Sequence, residues 1–334
     1  MKKLKTFENV IKLEGETKKK KFIRYLKFFL LPGFRAREIN KVEYELGKIQ
    51  SKRTFFRRFI SPLTILGIAC ILFVLWCAIF PDWASRYTYD DIAVWVNTDE
   101  IPYSPPSPEH PLGLGESGWD ILARNIWGTK YSLLVAFLAV VISFVLGTIV
   151  GIISAYAGGW VDNILMRVVD IFSVFPSLIL AFIFIAMWGN QMNVIMIGIG
   201  LAAIPSYARI SRASTLQEKA KLYVDAAKTS GASRFKLMFK HILPNAVSPL
   251  IVRVSFHIAV ATLTVGGLAF LGFAVSDIPT WGWDINQASG HMYRDPYSMF
   301  WPGMWIVITA LGFQLVGDGL RDSLDPKLKK LMKG

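Results

Sequence analysis

Across its 334 residues the chain is 53% hydrophobic, with 23 Phe and 11 Trp, yet it carries 37 Lys and Arg against 24 Asp and Glu, a formal net charge of +13. A water-soluble domain mixes apolar and charged residues along its length. Here they separate into nearly uncharged runs of about 20 residues, enough to cross a ~30 Å hydrocarbon core, with basic runs between them, which excludes an ordinary soluble fold and predicts an all-α membrane protein of six transmembrane helices.

Residues 1–60 hold 18 of the Lys and Arg, including "KKKK" at Lys18 to Lys21, followed by "FIRYLKFFLLPGF" and "KRTFFRRFI". Basic residues interleaved with Phe, Tyr and Leu suit stacking on nucleic acid, but beside a membrane the closer partner is the anionic lipid surface. The tail therefore reads as an interfacial anchor, with a plain solvated tail as the alternative, and no nucleic-acid partner is expected. The first span covers 61–80. Its Cys70 and Cys77 lie seven residues apart on one helical face, where a helix cannot bridge them, and read as small apolar residues. The N-terminus is too polar for too long to read as a cleavable signal peptide.

Residues 81–130 are acidic on balance and rich in proline ("IPYSPPSPEHP"). They contain "GLGESG", Gly113 to Gly118, with the glycine spacing of a dinucleotide-binding loop. That loop works only between a buried strand and a helix whose N-terminus holds the pyrophosphate, so the match reads as a decoy. Spans follow at 131–156, 168–188 and 194–207. Residues 171–208 form an uncharged run that reads alternatively as one long kinked helix, but at ~1.5 Å per residue it would rise about 57 Å, too long for one crossing. "WGNQ", Trp188 to Gln191, offers a turn, and two spans are preferred. Gly147 and Gly151 of "GTIVG" predict close helix packing. Arg167 and Asp170, three apart at the start of the third span, read as an ion pair.

The stretch "YVDAAKTSGASRFKLMFKHILPN", Tyr223 to Asn245, lies in the polar segment 209–245. Residues 222–241 contain no proline and a single glycine among Ala, Lys, Leu and Met. This predicts two short helices broken at Gly231, where a positive φ lets one helix end and the chain turn within one residue. Tyr223, Ala226, Ala227 and Ser230 recur at three- or four-residue spacing and make one small face. Arg234, Lys236 and Lys240 make the second helix basic, and Pro244 is expected to stop it before the fifth span, 247–273. A mere link between spans needs only a few polar residues, so this length and composition predict that something outside the membrane grips the segment. After the sixth span, 301–317, Arg321 is placed to pair with Asp318 or Asp325.

Eight Lys and Arg fall between Arg209 and His241 and five after Gly319, against four in 81–130 and 274–300 together. Basic loops are retained in the cytoplasm, so both termini and 209–245 are expected there and 81–130 outside. The chain has no Gly-x-x-x-x-Gly-Lys-Ser/Thr, its four His (110, 241, 257 and 291) show no paired metal-ligand spacing, and no His, Asp or Cys cluster converges for catalysis. An ion-gradient-driven transporter or channel, the rival reading, would favour ionisable residues at mid-membrane, and the centres of these spans are nearly free of them.

"DAAKTSGAS…HILPN" resembles the Glu-Ala-Ala-x-x-x-Gly loop of ATP-binding-cassette (ABC) importer permeases, followed by the His-x-Leu-Pro-Asn ending of the dipeptide, oligopeptide and nickel branch. Asp225, Ala226, Ala227 and Gly231 take the loop positions, Asp225 keeping the charge of the usual Glu on a shorter arm, and His241, Leu243, Pro244 and Asn245 take the ending. "HPLGLGESGWDILARNIWGTKYSL" resembles that branch's His-Pro-Leu-Gly-Thr-Asp…Gly-Arg-Asp segment, with Leu114, Gly115 and Trp119 as departures. "GGWVDNILMRVVDIFSVFP", "FLGF" at Phe270 to Phe273 and "LVGDGLRDSLDPKLK" fit its second-subunit type. The resemblance covers the first span and residues 110–334, and leaves out 1–50.

The resemblance implies a type I importer permease: a tail 1–60, a first helix 61–80, an external loop 81–130, a five-helix core 131–320 and a tail 321–334. The cytoplasmic coupling helix within 209–245 would dock in a cleft of a separate ATPase, with Tyr223, Asp225, Ala226, Ala227, Gly231, Ala232, His241 and Pro244 as the coupling residues. The chain would be a pore-forming subunit of the inner membrane rather than an enzyme, with no cofactor or metal of its own, ATP being bound by two partner ATPases. A non-identical second permease and an external binding protein would complete the complex. Di- or oligopeptides are the implied substrates, with nickel and oligosaccharides carried by similar permeases.

Overall fold

The computed structural model describes residues 59–93, 102–275 and 278–324; the basic tail read as a lipid anchor falls almost wholly outside them. Helix α1 (Pro62–Ile79) starts where the Ser61 hydroxyl accepts from Thr64 N at 3.1 Å and where Pro62, lacking an N–H, occupies the first turn at no cost in hydrogen bonding. Helix α2 (Ile121–Ala157) has 37 residues, about 55 Å and well beyond a hydrocarbon core. Asp120 caps it, Oδ1 accepting from Ala123 N at 2.7 Å, so the helix begins ten residues earlier than the external loop 81–130 implied. Its polar first turns hid this start in the sequence.

Helices α3 (Gly159–Val174) and α4 (Ser177–Trp188) meet at a bend of 88°. The span expected at 168–188 is therefore not one rod: Pro176 cannot donate into a continuing helix and holds Phe175 extended (φ −86°, ψ 128°). The chain does turn between Trp188 and Gln191, with Gly189 at φ +87°, before α5 (Met192–Lys219). This helix continues twelve residues past the span expected at 194–207, because Ser211, Thr215 and Glu218 of the extension are buried against neighbouring helices. After the excursion described below come α7 (Ser248–Phe270), α8 (Trp281–Ser289) and α9 (Tyr297–Leu324). By length and composition α1, α2, α5, α7 and α9 can each cross a membrane, and the bent α3–α4 pair makes up to six spans.

Small residues set the tightest seam. A Cβ at Gly147 would stand 2.5 Å from Tyr207 Cβ, and one at Gly151 would meet the Ala208 carbonyl oxygen, so α2 and α5 touch backbone to backbone as "GTIVG" predicted. The Ser211 hydroxyl donates to Thr148 O across the same seam at 3.0 Å. The principal core lies where α1, α2, α4, α5, α7 and α9 converge on Ala136, Ala139, Val140, Ala181 and Leu268, capped by Trp281. Tyr207 Oη and Ser143 Oγ lie 3.1 and 3.4 Å from His257 Nδ1, joining three helices inside that core.

One ion pair differs from expectation. Asp170 pairs with Arg209 of α5 (Nη2 to Oδ1, 3.0 Å) rather than with Arg167, because α5 brings a guanidinium across the groove that also reaches Ser173 Oγ at 2.7 Å. Arg321 does not pair with Asp318, and Asp325 lies outside the described residues.

Candidate functional site

The excursion between α5 and α7 opens with helix α6 (Leu222–Thr229). It ends at Gly231, φ +82°, with Ala232 N donating to Ala227 O (3.1 Å) and Gly231 N to Lys228 O (3.1 Å). These two bonds close the last carbonyls of α6 in the pattern that a left-handed residue just past a helix permits. The predicted turn at Gly231 is thus present. Ser233 then caps a second helical segment, its Oγ accepting from Lys236 N at 3.3 Å.

Pro244 does not stop that segment. Helix Arg234–Lys236 widens into a π-helical turn, Leu237–Ile242, and continues as Leu243–Ala246 to the edge of α7. Leu243 N reaches back five residues to Met238 O. The wider turn makes room for the proline ring, which an α-turn would drive against the carbonyl four residues earlier. Asn245 Nδ2 donates to His241 O at 2.7 Å, to the backbone of His241 rather than to its ring.

The excursion has a core of its own. Val224, Leu237, Ile242 and Ala246 are buried on Ile152 of α2, with Ala227, Ala232 and Tyr156 packed around them. Ala227 therefore does not share an outward face with Ala226, as its spacing had implied; it is half-buried and turned inward, as is Ala232. The outward surface holds Asp225, Ala226, Gly231 and Pro244, together with two large apolar side chains that motif reasoning missed: Leu222 is 86% exposed and Phe235 70%. Phe235 rests on Phe239, ring centroids 4.6 Å apart. Their signal was available as apolar residues flanking a charged helix.

Glu218, 9% exposed at the end of α5, ties the excursion to the bundle. Its Oε2 accepts from Tyr223 Oη at 2.9 Å and its Oε1 pairs with Lys221 Nζ at 2.5 Å, while Tyr223 Oη also lies 3.4 Å from His241 O. Burial first, then the Glu218 carboxylate, pushes the Tyr223 phenol up to about 12, so it remains a donor at any physiological pH. Beside them Lys219 Nζ donates to Tyr156 O (2.8 Å) and Ala155 O (3.2 Å), closing the last carbonyls of α2.

At the opposite end of α2, the "GLGESG" segment is a loop that folds onto the cap: Gly115 N donates to Trp119 O, and Asp120 Oδ2 lies 3.0 Å from His110 Nδ1. Arg124 donates through Nε (2.9 Å) and Nη2 (2.6 Å) to Asp284 Oδ1 and through Nη1 to Ile92 O (2.7 Å). Among the described residues no three His, Cys, Asp or Glu side chains gather to hold a metal.

The excursion is followed directly by a span and is braced on α2 and on the end of α5. The family described as "binding-protein-dependent transport system inner membrane component" matches residues 147–330. The chain belongs to this family. The permease is 36% identical over 278 residues to the glutathione transport system permease protein GsiD of Pectobacterium atrosepticum, covering 83% of this chain and 91% of that one. It is 34% identical over 296 residues to the oligopeptide transport system permease protein OppC of Bacillus subtilis (88% and 94%) and 39% over 229 residues to the dipeptide permease DppC of Haemophilus influenzae (68% and 78%). In fold it is similar to a chain of the MetNI methionine ABC transporter in an inward-facing form, with a TM-score of 0.51, 18% identity, and coverage of 61% of this chain and 98% of that one. The permease is thus a multi-pass subunit of an ATP-driven importer and not itself an enzyme. Such permeases work with another permease, ATPases and a binding protein.

Proposed function

We propose that the permease imports small peptides and that residues 222–246 are its coupling element, seated in a cleft of a partner ATPase on the cytoplasmic side. The observation that carries this is the one-sided core of the excursion: it is fixed to α2 and to Glu218 on one face while Leu222 and Phe235 stand in solvent on the other. Apolar anchors on a braced helix are what a partner's pocket needs. Asp225, Ala226, Gly231 and Pro244 line the same outward surface, while Tyr223, Ala227, Ala232 and His241 hold it in place from behind. The names of the glutathione, oligopeptide and dipeptide relatives support a peptide as cargo.

On this reading two ATPases, a non-identical second permease and an external binding protein complete the importer, ATP is bound only by the ATPases, and the basic residues 1–60 lie on lipid. Both termini are cytoplasmic and 81–130 is external, a reading that the Lys and Arg asymmetry supports. ATP-driven closure of the ATPases would move the excursion, and α5 and α7, which flank it in the chain, would rock to open the pathway outward. Nucleotide shifts this equilibrium only through contacts that differ between the two states.

The test is reconstitution of the complex with assay of peptide uptake and of ATP hydrolysis, with and without loaded binding protein. Uptake that proceeds with the ATPases absent would overturn the proposal. For topology, a cysteine at Ser107 in a Cys70- and Cys77-free background is expected to react with an impermeant thiol reagent on intact cells, and cysteines at Lys2 and Lys333 are not.

A further inference from the structure

The start of α7, next to the excursion, and the end of α9 line an open groove of about 380 Å³ that no part of the coupling surface uses. Its floor is apolar, from Val252, Phe256 and Leu324, while Arg253, Arg321 and Ser248 supply its polar wall. The two guanidiniums share one groove, and Arg253 differs from the paired arginines of the helices around it. Arg124, Arg209 and Arg212 each meet a carboxylate, of Asp284, Asp170 and Asp162. Arg253 and Arg321 meet none among the described residues, and Arg253 Nε is buried without a hydrogen-bond partner.

A buried guanidinium N–H such as Arg253 Nε is costly to leave without an acceptor. Ser248 and Pro249 form the first turn of α7, whose helix dipole adds to the positive potential. Arg253 lies five residues into the helix, about 7.5 Å along its axis. The ligand therefore needs an oxyanion that two guanidiniums can grip and an apolar body to cover Phe256 and Val252.

We infer that this cleft binds an anionic phospholipid, its phosphate held between Arg253 and Arg321 and its acyl chain lying along Phe256 and Val252. Basic pockets between membrane helices at a bilayer surface recognise such headgroups. The inference needs only that this end of the bundle lies at a bilayer surface. Which leaflet supplies the lipid rests on the proposed topology, and cysteine labelling tests that separately.

The experiment uses the full chain in its complex, placed in phosphatidylcholine nanodiscs with and without phosphatidylglycerol, with retained phosphatidylglycerol counted by native mass spectrometry. Arg253→Gln and Arg321→Gln are each expected to lower retention about fivefold, the loss of one basic group near a membrane surface. Arg253→Lys should keep most of it, and Arg86→Gln, at the other end of the bundle, should change nothing. Arg321 is exposed, so its variant is expected to fold even if Arg253→Gln does not. Unchanged retention in Arg321→Gln would overturn the inference. Full displacement of the lipid by inorganic phosphate would also overturn it, making the site one for a free oxyanion. Higher retention after deletion of residues 325–334 would do so by making the chain's own tail the occupant.

Discussion

The two ends of α2 are built on opposite plans. In its first turns Arg124, Asn125 and Thr129 are at most 4% exposed and bond within the chain: Arg124 to Asp284 and Ile92 O, Asn125 Nδ2 to Ile121 O at 2.8 Å, and the Asn125 backbone carbonyl to Trp281 Nε1 at 3.0 Å and the Thr129 hydroxyl at 2.8 Å, while Asn125 Oδ1 and Asp284 Oδ2 are buried without a partner. In its last turns Ile152 is equally buried, but the small core on it is covered on one side only, and the far side presents Leu222 and Phe235. The first end is closed chiefly by the chain's own Arg124–Asp284 pair, which holds the subunit together by itself. The second is left complementary to something the chain does not contain.

Breaking the closed end should have the largest effect on the subunit. Arg124→Leu strands the Asp284 carboxylate, whose pKa burial already raises against the pull of the guanidinium, and breaking such a pair costs about 3–5 kcal/mol. Thermal unfolding in detergent should fall sharply, and the double variant Arg124→Leu, Asp284→Leu should recover much of the loss. A single variant as stable as the parent would mean that this end is not locked by the pair.

The open end should respond in coupling rather than in folding. At Gly231 a Cβ would meet nothing within 4 Å, so Gly231→Val is strained only through its φ of +82°, at about 1–3 kcal/mol. Ligand-stimulated ATP hydrolysis and uptake are expected to be lost while the subunit still assembles in the membrane. Normal stimulation in this variant would remove the mechanical role of the turn. Leu222→Ser with Phe235→Ser should leave unfolding within about 0.5 kcal/mol of the parent, both side chains being exposed. Retention of the ATPases on purification should nevertheless drop about tenfold or more, as for loss of interface anchors. Equal retention would place the docking surface elsewhere. The smallest effect is expected from Tyr223→Phe, which removes one hydrogen bond to Glu218, about 1 kcal/mol, and should lower the ratio of uptake to hydrolysis with little change in either KM. An unchanged ratio would leave Glu218 a purely structural brace.

The chain itself specifies its spans, because hydropathy over about 20 residues is a local property and a bilayer reads it locally. It also specifies the turn at Gly231, the Trp188–Gln191 break and the close seam of Gly147 and Gly151, since a missing Cβ acts on its own residue and immediate surroundings. Tertiary structure decided what depended on partners far along the chain. Arg124 finds Asp284 160 residues away, Asp170 finds Arg209 39 residues away in place of its neighbour Arg167, and Ala227 turns inward because Ile152 of α2 supplies a core there. Helix limits moved for the same reason: α5 runs on to Lys219 where α2 offers it a surface to bury, and the proline of "HILPN" is absorbed by a π-turn instead of ending the helix, since the residues around it pack on both sides of the break. Periodicity specifies which residues share a face of a helix, but which face is buried is decided only by the element packed against it.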